Sequence, residues 1–138
     1  MVERASLELK LLVARRANDR CEYCLSPAAY CPGPFSLDHI IPSSLGGASD
    51  LANLAYACHG CNGHKFTATQ AIDRDTNELA PLYHPRRDRW EEHFAWNADR
   101  TEITGRTPTG RATIERLRLN RVNVVNLRSV LRDRSGSS

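Results

Sequence analysis

The sequence lacks any apolar run long enough to cross a bilayer. Its N-terminus also lacks the basic, apolar and small-residue order of a signal peptide, because Glu3 and Glu8 interrupt it. Internal repeats and low-complexity segments are missing as well. We therefore expect a cytoplasmic protein that does not enter a membrane, and the 138 residues predict one domain with short appended elements.

Lysine is scarce, since only Lys10 and Lys65 accompany 17 arginines, and the net charge is only +3. Seven arginines cluster near the C-terminus: Arg111, Arg116, Arg118, Arg121, Arg128, Arg132 and Arg134. Guanidinium groups bind phosphate through two hydrogen bonds, so this cluster is a candidate phosphate-binding surface. The alternative is an ordinary solvated helix surface.

Four of the five cysteines form two Cys-x-x-Cys pairs, Cys21/Cys24 and Cys58/Cys61. This spacing is typical of a closed structural zinc site, in which four thiolates leave no open coordination position. A redox-active pair is the alternative, but it requires a thioredoxin-like βαβ context, and this sequence has none. Cys31 lies outside both pairs, in a proline-rich loop.

Apolar periodicity and turn residues predict an α+β fold. In chain order we expect a helix over 6–18 capped by Ser6, a strand over 35–41, a second short strand or turn over 51–56 and a helix over 62–73. A hairpin from Trp90 to Ile103 turning at 97–100, a helix over 110–119 capped by Thr109 and a last helix capped by Asn123 follow. We expect these elements to be organised as an N-terminal helix (1–19), a zinc-pinned domain (20–75), a C-terminal hairpin with Arg-rich helices packed as an extension of the same domain (76–134) and a disordered tail (135–138).

A longer motif runs through the cysteine pairs. It comprises Cys21-x-x-Cys24, Leu37-Asp38-His39-Ile40-Ile41-Pro42, Gly46-Gly47, Asn53-Leu54 and Cys58-x-x-Cys61-Asn62-x-x-Lys65. This string resembles the HNH endonuclease family, and in particular its small free-standing bacterial members. In these proteins a ββα-metal finger is pinned on a zinc ribbon by four cysteines. The resemblance spans residues 21 to 65, and a looser one covers the segment from Leu82 to Asn120.

The resemblance implies a role for each matching residue. His39 is expected to be the general base, and Asp38 and Asn62 are expected to hold one catalytic Mg²⁺ or Mn²⁺. Asn53 is expected to fix the loop that aims His39, and Lys65 to approach phosphate. Cys21, Cys24, Cys58 and Cys61 are expected to bind structural Zn²⁺. His64 points about 200° away from Asn62 on a helix, so with Arg111 and Arg116 it is a candidate nucleic-acid contact.

These residue types also suit phosphodiester hydrolysis on chemical grounds. Imidazole accepts a proton near neutral pH, and a carboxylate with an amide oxygen binds a hard cation while leaving sites for water and phosphate. Adjacent strand residues point to opposite faces, so Asp38 and His39 cannot both reach one metal without a twist or bulge. The resemblance implies that the strand end distorts there. The leading interpretation is an endonuclease acting on double-stranded DNA, including nicked DNA. A non-catalytic zinc-ribbon module and an RNA nuclease are the alternatives, and both a monomer and a homodimer are compatible with the sequence.

Overall fold

The computed structural model describes residues 2–136 and the side chains of residues 7–134. Its contacts divide the chain into two compact units, Met1–Thr67 and Ala68–Ser138. Both contain α-helices and short antiparallel strands, which confirms the α+β class. The division falls before residue 75, where the sequence places the end of the zinc-pinned domain.

The first unit begins with helix α1, Val2–Arg16. The helix already includes Ser6, so the predicted N-cap at this residue is wrong. Of the three apolar residues that repeat at helical spacing, Ala14 is buried, whereas Leu7 and Leu11 are both 63% exposed. The apolar repeat therefore gives the helical period but not the face that packs.

A two-stranded antiparallel sheet follows, formed by β1 (Ser36–His39) and β2 (Leu54–Ala57). Helix α2, His59–Lys65, begins directly after it. This order of strand, strand and helix confirms the predicted ββα arrangement. Of the expected twist or bulge at the end of β1, a bulge is not observed, because Asp38 and His39 pair in regular register with Ala55 and Leu54.

Side-chain hydrogen bonds to the backbone hold both ends of β2, whose residues are all buried. Arg16 donates to the carbonyl oxygens of Leu51 and Leu54. The Glu22 carboxylate accepts a 2.7 Å hydrogen bond from the Tyr56 amide. These bonds attach the sheet to α1 on one side and to the first cysteine pair on the other.

Helix α2 is shorter than predicted. It ends at Lys65, and its C-cap, Phe66, has a φ of 52° and is 72% exposed. The expected continuation to Asp73 is wrong, because Gln70–Asp73 is a strand (β3) in the second unit, paired with β4, Glu78–Pro81. Asn77 closes their turn in the left-handed region that asparagine tolerates.

The remaining elements of the second unit are helix α3 (Trp90–His93), strands β5 (Phe94–Trp96) and β6 (Ile103–Gly105), and helices α4 (Pro108–Leu117) and α5 (Val122–Gly136). The pairing of β5 with β6 confirms the predicted hairpin. Helix α4 is capped by Thr107, whose hydroxyl accepts from the Gly110 amide, and not by Thr109. Helix α5 includes Asn123 and extends to Gly136, into the predicted tail, whereas Ser137 and Ser138 lie outside the described residues.

Candidate active site and metal cluster

The four paired cysteines meet in the first unit. Their Sγ atoms all lie within 4.8 Å of one another, and all four side chains are buried. None is in a disulfide. Cys58 is also the N-cap of α2, so the cluster fixes the start of that helix to the turn after α1.

The cluster has the geometry and chemistry of a zinc site. Sulfurs at about 2.3 Å from a tetrahedral zinc ion are about 3.8 Å apart, and the sulfurs of Cys24 and Cys58 are 3.7 Å apart. The amides of Cys24 and Cys61 lie 3.5 and 3.4 Å from the sulfurs of Cys21 and Cys58 and donate to them, as suits thiolates.

Contacts within the cluster shift the pKa of these thiols in both directions. Hydrogen bonding with Cys21 lowers the pKa of Cys58 to about 7 and that of Cys24 well below its usual range. Burial raises the pKa of Cys21 itself. Because the thiolate is the form that binds metal, the cluster is suited to hold Zn²⁺.

Asp38 is held inside the unit, with its side chain only 3% exposed. Its Oδ2 accepts a 2.6 Å hydrogen bond from the Tyr23 hydroxyl and lies 3.2 Å from the Lys65 ammonium, while its Oδ1 is 3.3 Å from the same nitrogen. Burial raises the pKa of Asp38, and the nearby Lys65 charge opposes this effect. The result is a buried ion pair that joins β1 to α2.

Lys65 is 1% exposed, and its amine also donates to the carbonyl oxygens of His39 and Ile40. An ammonium group has three donors, and these carbonyls with the Asp38 carboxylate use all of them. The phosphate contact of Lys65 stays a prediction, and a phosphate there would have to compete with these three partners. In the structure Lys65 fixes the end of β1.

His39 points in the other direction, because neighbours on a regular strand face opposite sides. Its side chain is half-buried, and its Nε2 lies 2.8 Å from the Ser49 hydroxyl. Asp38 and His39 are thus adjacent in the chain but have separate side-chain environments, one buried and one accessible to solvent.

Asn53 connects the two ends of the loop between the strands. Its Oδ1 accepts from the Ile41 amide at 2.9 Å, and its Nδ2 donates to the carbonyl oxygens of Ile41 and Ala48 at 2.9 and 2.8 Å. Asn53 is buried, so water competes little for these bonds. The amide therefore fixes the segment just after His39 to the segment just before Ser49.

Asn62 and His64 both lie on α2 and are half-buried. Asn62 is one turn before Lys65, on the side of the helix that reaches Asp38. Across the described part of the chain, the Asn62 side-chain amide has no hydrogen-bond partner. Its oxygen and the Oδ1 of Asp38, which has a single contact of 3.3 Å, are suitable donors for a hard divalent cation.

The two arginines predicted to contact nucleic acid lie in the second unit. Arg111 donates from Nε and Nη2 to both oxygens of the fully buried Asp73 carboxylate, at 2.8 and 3.0 Å. A phosphate at Arg111 would have to share the guanidinium with Asp73. Arg116 is exposed.

The sequence did not identify three residues with prominent contacts. Tyr23 lies within a cysteine pair and Ser49 in a polar loop, and neither position carries a signal. Arg128 is 7% exposed, donates to the carbonyl oxygens of Thr101 and Leu119, and stacks over an aromatic ring. Its position four residues after Val124, an apolar residue of the predicted last helix, was a usable sign that it shares that residue's face.

Comparison with protein families matches residues 21–67 to the model of the HNH endonuclease family. Comparison with curated proteins and with solved structures gives no match. Among the described residues, no helix combines the length and apolar character needed to span a membrane. Residues 21–67 of this chain are therefore an HNH endonuclease domain whose four paired cysteines can bind a metal ion.

Proposed function

We propose that this protein is an endonuclease that hydrolyses phosphodiester bonds in double-stranded DNA, including nicked DNA. The observation that carries the proposal is His39, which lies in the family-matched segment, is half-buried and is held by hydrogen bonds at its ring and at its backbone carbonyl. A half-exposed imidazole can take a proton from an attacking water near neutral pH. By analogy with the family, the products are a 5′-phosphate and a 3′-hydroxyl.

The proposal assigns the other predicted residues as follows. Zn²⁺ at the four cysteines is structural. Asp38 and Asn62 hold one Mg²⁺ or Mn²⁺, which supplies charge for the phosphate when it is bound. Asn53 is a positioning residue, because it fixes the loop around His39. None of the five cysteines is in a disulfide, which suits a reducing compartment and supports a cytoplasmic location.

The test is a plasmid-nicking assay with a panel of divalent metals, comparing the parent protein with His39→Ala. We expect His39→Ala to lower the cleavage rate by about 10²- to 10⁴-fold, while the protein still folds, retains zinc and binds DNA. His59→Ala is the matched control, because it makes the same change at an exposed histidine of the second cysteine pair. Equal cleavage by the parent and His39→Ala, with contamination excluded, removes His39 as the base.

The metal assignment is tested best at Asn62. Asn62→Ala removes one donor without leaving a buried charge, whereas a change at Asp38 would strand the Lys65 ammonium. We expect Asn62→Ala to need more Mg²⁺ or Mn²⁺ for half-maximal cleavage. An unchanged metal titration would exclude Asn62 from the ligand set.

One observation favours a rival function, a zinc-ribbon module that binds nucleic acid without cutting it. Asp38 is already paired with Lys65 and Tyr23, so a divalent cation would compete with an ammonium for the carboxylate. DNA binding by the parent protein without cleavage, with any metal in the panel, would favour this rival.

A further inference from the structure

The two ring nitrogens of His39 have different environments. Nε2 lies 2.8 Å from the Ser49 hydroxyl. Within the residues that the structure describes, Nδ1 has no hydrogen-bond partner. Neutral imidazole has one N–H and one lone pair, so a partner at one nitrogen determines what the other can do.

Both sides of the His39–Ser49 contact are fixed by buried groups. Lys65 donates to the backbone carbonyl oxygen of His39 at 3.2 Å. Asn53 donates to the carbonyl oxygen of Ala48, the residue before Ser49, at 2.8 Å. A hydrogen bond between two exposed, mobile side chains contributes little to stability, because both groups lose conformational entropy when it forms. Here the hydrogen bonds of Lys65 and Asn53 already hold the backbone on both sides of the contact.

We propose that Ser49 is a positioning residue for His39: its hydroxyl oxygen accepts the proton of Nε2–H and leaves Nδ1 as the basic nitrogen. This inference rests on the proposed function, because a base needs a ring lone pair that faces water. If Ser49 instead donated to Nε2, Nδ1 would carry the ring proton and no lone pair would remain for water. The hydroxyl also limits rotation of the ring.

The direct test is nitrogen NMR of the His39 ring, at a pH where imidazole is neutral, in the parent, Ser49→Ala and Ser49→Thr. We expect the Nε2–H tautomer to dominate in the parent and in Ser49→Thr, which keeps a hydroxyl. In Ser49→Ala we expect the tautomer ratio to move by up to about tenfold toward Nδ1–H. An Nδ1–H form in the parent, or an unchanged ratio in Ser49→Ala, overturns the proposal.

The second test is single-turnover cleavage by the same proteins. We expect Ser49→Ala to lower the rate of the chemical step by roughly 2- to 10-fold with unchanged DNA affinity, and Ser49→Thr to restore it. Ser44→Ala, an exposed serine in the same loop, is the matched control and should cut like the parent. Equal rates in Ser49→Ala and the parent overturn the proposal and leave His39 as the base. A parent that does not cut refutes the proposed function, and the NMR result still decides whether Ser49 fixes the ring.

Discussion

Gly47 lies where the loop after β1 comes closest to the strand end. A Cβ built on this residue would overlap the carbonyl oxygen of Ile41 and lie 2.8 Å from the Nδ2 of Asn53. The backbone and a buried amide cannot move aside without breaking the hydrogen bonds that close the loop. Glycine is therefore required here by space.

We predict that Gly47→Ala lowers the free energy of unfolding by about 1–3 kcal/mol, because the methyl group overpacks the loop. The measurement is urea unfolding of the full chain. Gly63→Ala is the control, since nothing lies within 4 Å of its added Cβ and alanine favours the helix by about 1 kcal/mol. A Gly47→Ala protein as stable as the parent would show that the loop can shift at little cost.

The candidate site was predictable in its composition but not in its contacts. The motif identified Asp38, His39 and Asn53, and the spacing of the cysteines predicted their cluster. The motif could not show that Lys65 folds inward, because a lysine four residues after a cysteine pair is compatible with both solvent and a buried carboxylate. Ser49 was also invisible, since its contact depends on where Asn53 places the loop.

At the scale of elements, the cysteine cluster connects the turn after α1 to the first residue of α2. Metal binding in such small units is coupled to folding. We predict that Cys58→Ser loses tightly bound zinc and several kcal/mol of the free energy of unfolding. Metal analysis and urea unfolding measure these effects.

The matched control for this prediction is Cys31→Ser, because Cys31 lies outside the cluster. It should retain zinc at the parent's stoichiometry. Parent protein without tightly bound zinc, or Cys58→Ser with the parent's zinc content and stability, would contradict a structural metal at this cluster.

In the second unit, Arg111 on α4 pairs with Asp73 on β3 and so connects this helix to the hairpin of β3 and β4. Hydrogen bonds from Arg111 and Thr76 hold the pKa of Asp73 well below its usual range. A depressed folded pKa gives stability that is complete above the unfolded value of about 3.9 and is lost as the pH falls below it. We therefore predict that this unit loses stability below about pH 4.

Both tryptophans of the chain, Trp90 and Trp96, lie in this unit, so tryptophan fluorescence follows its unfolding. The paired cysteines lie in the other unit, so acid release of a metal there is a separate event. We expect Asp73→Asn to lower the urea midpoint at neutral pH and to flatten its fall toward acid. Asp50→Asn, at an exposed carboxylate in the other unit, should leave the fluorescence transition unchanged. A parent-like acid slope in Asp73→Asn would refute the role of this carboxylate.

The elements were predicted best where local signals were strong. Alternating apolar residues around a polar turn gave the hairpin of β5 and β6. The segment 66–73 was misread because its apolar residues are too few to distinguish a helix from a strand, and its strand partner lies beyond the turn at Asn77. The positive φ of Phe66, which ends α2, had no sequence signal.

At the scale of the whole molecule, the C-terminal arginines divide into two groups. Four are engaged within the second unit by carboxylates or carbonyl oxygens: Arg111, Arg121, Arg128 and Arg132. Three others are exposed: Arg116, Arg118 and Arg134. The composition predicted a phosphate-binding surface, but the fold uses part of it for its own stability. Within this cluster, the exposed arginines are therefore the better candidates for phosphate contact.

We predict that Arg116→Gln removes one phosphate contact and therefore weakens binding to different DNA sequences to a similar extent. The slope of log affinity against log salt concentration should become shallower by about one. The measurement is a titration of labelled duplex DNA at several salt concentrations. Arg87→Gln is the matched control, because it removes the same charge at an exposed position outside the arginine cluster. Equal losses in both variants would indicate only a general effect of net charge, and an unchanged slope in Arg116→Gln would exclude this arginine from the interface.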